Sequence, residues 1–322
     1  MAPLPKNALA LPPVMADYPK ASMFTTTCFF LIGIGGWIVT WAVQLLFTYT
    51  VGWFLEEKRL QYWNGYLFRL LAAAPVARLT PGVTVTKTPD SWVPSRAIVN
   101  GEKPVMVICN HRSYMDPFCL AAALLPLETK YVAKSDLFQV PFGGWAMKRA
   151  GDLAVMFDAN KNAGWGTVKG STGQLLAQAA AHFRAGNSVA IFPEGARMGV
   201  SEEKALDAAA HPSKLMLFKP AFFDLCKKEN VPVVVVSMRG TDEFWPTGRM
   251  SMAPAAVTVH VGPILDGADY ETDQAFCDAA RLACGRGYLA LCGAAAPEDR
   301  TAAPDQKAAR AKAPRKKTPR AD

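Results

Sequence analysis

The chain has 322 residues, of which 35 are Lys or Arg and 27 are Asp or Glu, giving a formal charge of +8. Half the residues are hydrophobic (51%) and only 19% are charged, against a usual charged share of about 25%. That composition excludes a wholly disordered chain, a coiled coil and a collagen-like repeat, and leaves a globular core with membrane contact. The seven Cys are odd in number and form no C-x-x-C pair. This usage fits a reduced, cytosol-facing chain rather than a disulfide framework or a zinc site. The four His are scattered at 111, 182, 211 and 260, with no metal-ligand spacing.

Residues 1–20 hold five Pro and read as an irregular lead-in. From Ala21 to Leu55 no residue is charged, so 21–59 reads as a membrane-embedded helical segment. The run is too long for a secretory signal peptide. It is also longer than one span needs, which leaves two forms: one tilted helix, or two helices broken near Gly33, Gly35 and Gly36. Lys58, Arg59, Arg69 and Arg78 follow it, against Lys6 and Lys20 before it. That bias places the rest of the chain in the cytosol, on the endoplasmic reticulum membrane if the source is eukaryotic. Residues 60–79 read as an amphipathic surface helix ending near Pro75.

Strands are expected at Val83–Lys87, Val105–Cys109, Leu153–Phe157, Ser188–Phe192, Val231–Ser237 and Ala256–Val261. Helices are expected over 117–127, 171–185, 213–229 and 273–292. Short apolar strands alternating with helices define an α/β fold over 60–293, a largely parallel sheet flanked by helices. Residues 294–322 carry a net charge of +4 among Ala and Pro with no aromatic residue, and read as a disordered basic tail. Such a tail is solvated or meets anionic lipid headgroups. The chain has no interleaved basic and aromatic patch, so no nucleic-acid partner is expected.

Two loops that each follow a buried strand carry the chemistry, because α/β proteins place their sites at that end of the sheet. The first is Asn110-His111-Arg112-Ser113-Tyr114-Met115-Asp116-Pro117. If the chain turns between His111 and Asp116, the carboxylate can fix one ring nitrogen and leave the other as a general base. Asp116-Pro117 also suits the start of the next helix. The second loop is Phe192-Pro193-Glu194-Gly195-Ala196-Arg197. Arg197 offers a planar fork for phosphate, Gly195 allows close backbone approach, and Glu194 can accept from ligand hydroxyls or position Arg197. Each loop alone is a weak signal.

Together and in this order the loops resemble the first and third motifs, N-H-x4-D and F-P-E-G-x-R, of the glycerolipid acyltransferase family typified by 1-acylglycerol-3-phosphate acyltransferases. Tyr131–Leu137 leading to Gly151-Asp152, Lys219 with Phe218–Cys226, and Val231–Val234 follow the same pattern. Phe157 stands about where the family's second motif carries an Arg, Ala196 where a Thr is common, and Pro220 where a Gly is more usual. The resemblance implies acyl transfer from acyl-CoA or acyl carrier protein to a glycerolipid hydroxyl, with membrane lipids, lysophosphatidic acid and an acyl thioester as partners. His111, oriented by Asp116, would be the base. Glu194, Gly195, Arg197, Lys134, Arg112 and Asn110 would bind substrate, and no cofactor or metal is implied. No G-x-S-x-G nucleophile elbow and no phosphate-binding G-x-x-x-x-G-K-[ST] loop occurs. The other readings are a different lysophospholipid acceptor, a transacylase, or an inactive membrane scaffold.

Overall fold

The structure, a computed structural model, describes residues 18–158, 166–168, 170–197 and 215–293. The lead-in over 1–17 and the basic tail over 294–322 lie outside the described residues. The strands are β1 (Val83–Lys87), β2 (Met106–Cys109), β3 (Thr129–Lys134), β4 (Leu153–Val155), β5 (Phe157–Asp158), β6 (Gly166–Thr167), β7 (Ser188–Ile191), β8 (Val233–Arg239) and β9 (Ala255–Leu265). The helices are α1 (Met23–Tyr49), α2 (Glu57–Phe68), α3 (Ala74–Leu79), α4 (Arg96–Val99), α5 (Asp116–Leu124), α6 (Gly143–Ala150), α7 (Ser171–Arg184), α8 (Ala221–Glu229), α9 (Thr241–Phe244) and α10 (Asp273–Leu291).

Seven strands make one sheet in the order β1-β9-β8-β2-β7-β3-β4. The run from β8 through β2, β7 and β3 to β4 is parallel, as expected. β9 is antiparallel to β8, and β1 pairs parallel with β9, so one edge of the sheet is inverted. Both faces are covered, which is why the central strands are apolar without a break. Val107, Cys109, Val234, Val236 and Met238 face a core shared with α3 and α5. Met106, Ile108, Val189, Ile191, Val233 and Val235 face a second core shared with α7, α8 and α10.

The uncharged segment forms one unbroken helix, α1, rather than a pair. It is long and apolar enough to cross a membrane. Its glycines do not break it; they let it approach its neighbours. A Cβ on Gly36 would lie 3.1 Å from both Ala72 Cα and Leu71 O. The residues that α1 buries are Thr25, Thr26, Phe29, Gly33, Thr40 and Gln44, a narrow stripe at helical spacing. Gln44 Nε2 donates to Asn64 O at 2.7 Å and to Ala146 O at 3.3 Å, tying α1 to α2 and α6. Phe24, Leu31, Ile34, Val39 and Leu46 point outward. Apart from Phe29, small and polar side chains lie inside and most of the large apolar ones outside.

The helix expected over 60–79 starts at Glu57 and continues past Pro75. Pro75 lacks the N–H that an α-helix needs there. The chain accommodates it with one π turn at Arg69–Ala73, in which Ala74 N–H bonds back to Arg69 O. The same turn buries Arg69, whose guanidinium pairs with Asp152 and donates to Thr129 O at 2.9 Å. The helix expected over 213–229 begins only at Ala221, and Leu215–Lys219 has no regular structure.

Candidate active site

β2 and β7 are neighbours, with Ile108 opposite Ile191. The chain therefore leaves both strands at the same level and the same end of the sheet, and the two loops meet there. β3, beside β7, runs on to Lys134 at that same end.

In the first loop the chain does turn back. His111 Nδ1 lies 2.7 Å from Asp116 Oδ2. That oxygen also accepts the N–H groups of Arg112 at 2.6 Å and Ser113 at 2.8 Å. Asp116 is fully buried and is the first residue of α5, with Pro117 behind it. The helix-start role and the histidine-orienting role are thus the same side chain doing both. An ionised carboxylate only accepts, so Nδ1 carries the ring proton and Nε2 is left as the basic nitrogen. Among the described residues Nε2 has no partner. The ring stacks on Phe192 of the second loop, centroids 4.2 Å apart and planes at 21°, which fixes the direction in which Nε2 points.

Both carboxylate oxygens of Glu194 are held by backbone groups. Its Oε1 accepts His111 N–H at 2.7 Å and its Oε2 accepts Met216 N–H at 3.0 Å. It clamps the histidine loop to the segment before α8 and is almost fully buried. Burial pushes its carboxyl up to about 7, against the pull of the two N–H groups and of Arg112. Asn110 is also fully used. Its Nδ2 donates to Met238 O and its Oδ1 accepts Met238 N–H, both at 2.8 Å. The side chain thereby continues the β2–β8 pairing one residue beyond β2.

The cations differ from one another. Arg197 lays its guanidinium 3.5 Å above the ring of Tyr114, and its Nε is buried without a partner among the described residues. Gly195 has φ +68°, and a Cβ there would come within 2.8 Å of Lys219 Nζ. The positive φ favours glycine, and a larger residue would also displace the end of the Lys219 side chain. Lys134 is half-exposed and paired with Asp136 at 2.5 Å. Arg112, read from sequence as a residue on a loop, is buried and stacks on Tyr288 of α10 at 4.1 Å. It is directed away from a solvated tip. The structure thus brings His111, Asp116, Glu194, Gly195 and Arg197 together. The backbone of Phe157 pairs with Thr167 in a small two-stranded ribbon with β6.

Sequence reasoning missed three participants. Trp245 O accepts from Ser113 Oγ at 2.8 Å, Tyr114 carries Arg197, and Met216 completes the Glu194 clamp. Tyr114 had a signal, an exposed aromatic inside the histidine loop. Met216 and Trp245 had none, being far along the chain and in no motif.

The acyltransferase family model matches residues 85–239, from within β1 to the last residue of β8, and so takes in both loops. Over these residues, just under half of the chain, the sequence is similar to the acyltransferase family. Among proteins of known name, it is 31% identical over 183 residues to a 1-acyl-sn-glycerol-3-phosphate acyltransferase of Chlamydomonas reinhardtii, covering 56% of this chain and 48% of that one. It is 27% identical over 164 residues to the 1-acyl-sn-glycerol-3-phosphate acyltransferase of Pseudomonas aeruginosa, covering 51% and 55%. The chain spans about half the length of the curated relatives it matches. The crystal structure of the 1-acyl-sn-glycerophosphate acyltransferase from Thermotoga maritima shares the fold, with a TM-score of 0.56 at 18% identity over 83% of this chain and 94% of that one.

Proposed function

We propose that the protein transfers a fatty acyl group from an acyl thioester to the sn-2 hydroxyl of 1-acylglycerol 3-phosphate, giving phosphatidic acid. The observation that carries the reading is His111, whose Nδ1 is held by Asp116 while Nε2 has no partner among the described residues and the ring stacks on Phe192 of the Arg197 loop. The names of the relatives support the acceptor. Nε2 takes the proton of the hydroxyl as its oxygen attacks the thioester carbonyl. The carbon–sulfur bond then breaks, and the departing thiolate takes that proton from the imidazolium, so ester and thiol leave and the enzyme is restored. No protein nucleophile takes part. Arg197 holds the acceptor phosphate through its unused Nε–H and its fork. Lys134 joins it if Asp136 gives way.

The apolar outward face of α1 lies in the lipid, with the helix packed along the domain instead of projecting from it. A one-tailed acceptor then reaches the site from the bilayer surface, and the domain faces the cytosol. A different lysophospholipid acceptor is the second reading, favoured by Phe157 at the place of the family's Arg. Competition settles the choice. The detergent-solubilised protein is given labelled oleoyl-CoA with lysophosphatidic acid, lysophosphatidylcholine and glycerol 3-phosphate together. Phosphatidic acid as the main product supports the first reading. Phosphatidylcholine as the main product replaces it with the second.

A further inference from the structure

The loop after β8, residues 240–253, lies beyond the family match, yet it touches both the catalytic loop and α1. On the site side, Trp245 O accepts Ser113 Oγ at 2.8 Å. The indole ring packs against Tyr114, centroids 5.0 Å apart and planes at 41°. Tyr114 in turn carries Arg197 at 3.5 Å. On the lipid side, the indole meets Phe29 of α1 edge-on at 5.0 Å and 75°. Met252 binds the start of α1 twice, its N–H to Thr26 Oγ1 at 2.9 Å and its carbonyl from Ser22 N–H at 2.8 Å. Indole Nε1 donates to Arg249 O at 2.8 Å, which fixes the ring plane.

We propose that Trp245 is a positioning residue for the acceptor. It backs Tyr114, which is the platform under Arg197, and it ties that stack to α1. The inference rests on the reading of Arg197 as the phosphate-binding cation. An arginine side chain on an open loop has many rotamers, and ordering it opposes phosphate binding. A ring beneath the guanidinium prepays that ordering. Tyr114 is itself 43% exposed, so it can serve as a platform only while Trp245 supports it from behind. The His111–Asp116 pair is closed by its own hydrogen bonds and does not depend on the indole.

The test compares full-length wild type, Trp245→Leu, Trp245→Phe and Tyr114→Leu in phospholipid nanodiscs, with lysophosphatidic acid and oleoyl-CoA as the varied substrates. Trp245→Leu keeps the backbone carbonyl that holds Ser113, so the variant isolates the ring. The expected result is a rise of about tenfold in KM for lysophosphatidic acid in both Leu variants. KM for oleoyl-CoA and kcat should stay within about twofold, and Trp245→Phe should restore the acceptor KM. A fall in kcat with unchanged KM, equal loss for both substrates, or no rescue by Phe overturns the proposal. Should Trp245→Leu fail to fold, the exposed Tyr114→Leu carries the same comparison. Wild type with no activity on lysophosphatidic acid is a separate outcome, which overturns the functional reading and this inference with it.

Discussion

Asp116→Asn removes one charge at nearly constant volume, and its consequences can be worked from the site. Asp116 Oδ2 receives three donors, His111 Nδ1 at 2.7 Å and two backbone N–H groups at 2.6 and 2.8 Å. An asparagine has two orientations. With its nitrogen toward the three donors it sets N–H against N–H, which is excluded. With its oxygen there, the amide nitrogen takes the place of Oδ1, which is buried without a partner among the described residues. The second orientation wins and keeps the imidazole tautomer. Each of the three bonds falls from charge-assisted to neutral strength, about 1 kcal/mol apiece, for roughly 3 kcal/mol in all. In a domain of this size that lowers Tm by about 6–12 °C. The imidazolium formed during proton transfer also loses its counter-charge, so kcat should fall by about 10²- to 10⁴-fold, the share that general-base catalysis supplies. Thiol release from oleoyl-CoA with lysophosphatidic acid measures the rate, and calorimetry measures Tm. A folded Asp116→Asn protein within about fivefold of wild type would refute the assignment of His111 as an Asp-oriented base.

Three further outcomes follow from the same contacts. Glu194 has a native value near 7 against 4.5 when unfolded. The stability it contributes is therefore complete below pH 4.5 and is lost as pH rises through 7, by about 3 kcal/mol. The stability of wild type relative to Glu194→Gln should decline by that amount between pH 4.5 and 8 in denaturant titrations. Parallel curves would contradict it. Asn110→Ala leaves Met238 N–H and C=O unpaired in the core and should cost about 2–4 kcal/mol of stability, read by the same titration. Gly36→Val drives a Cβ into the backbone of Leu71 and Ala72. It should cost about 1–3 kcal/mol and expose α1 to limited proteolysis in detergent. An unchanged cleavage pattern would refute the docked position of α1.

The central strands were legible because the parallel sheet is covered on both faces, so β2, β7 and β8 read as plain apolar runs. β3 was legible only as a motif. Its Lys130 is buried and paired with Glu128, just before the strand, at 3.0 Å, and a charged pair at the start of a strand hides it from any hydropathy pattern. α6 is short and opens on two glycines, which argues against a helix locally. Gly144 is required there, since a Cβ would lie 2.4 Å from Leu137 O. Pro75 reads as a helix end, yet the π turn just before it lets the helix continue. In the site, the contact between His111 and Asp116 was legible as the two-motif resemblance, neither loop being a strong signal alone. The backbone bonds of Glu194 and Asn110 were not, because their partners, Met216 and Met238, are backbone groups 22 and 128 residues away.

α1 joins these findings to the substrate. Its buried stripe of Thr, Gly, Gln and Phe29, with outward Phe24, Leu31 and Ile34, leaves an exposed apolar face long enough to cross a membrane. Its first turns touch the loop that backs Tyr114 and Arg197. Under the proposed function, the helix that meets the lipid also borders the place where a lipid phosphate would be held.

The measurement that tests the central claim most directly is the formation of labelled phosphatidic acid from lysophosphatidic acid and oleoyl-CoA by purified wild type beside His111→Ala, both checked for the same Tm. Product formed by wild type and reduced by about 10²-fold or more in the variant is the predicted result. Equal rates in the two proteins would contradict the account of His111 as the base. No product from folded wild type would contradict the acyl-transfer reading itself.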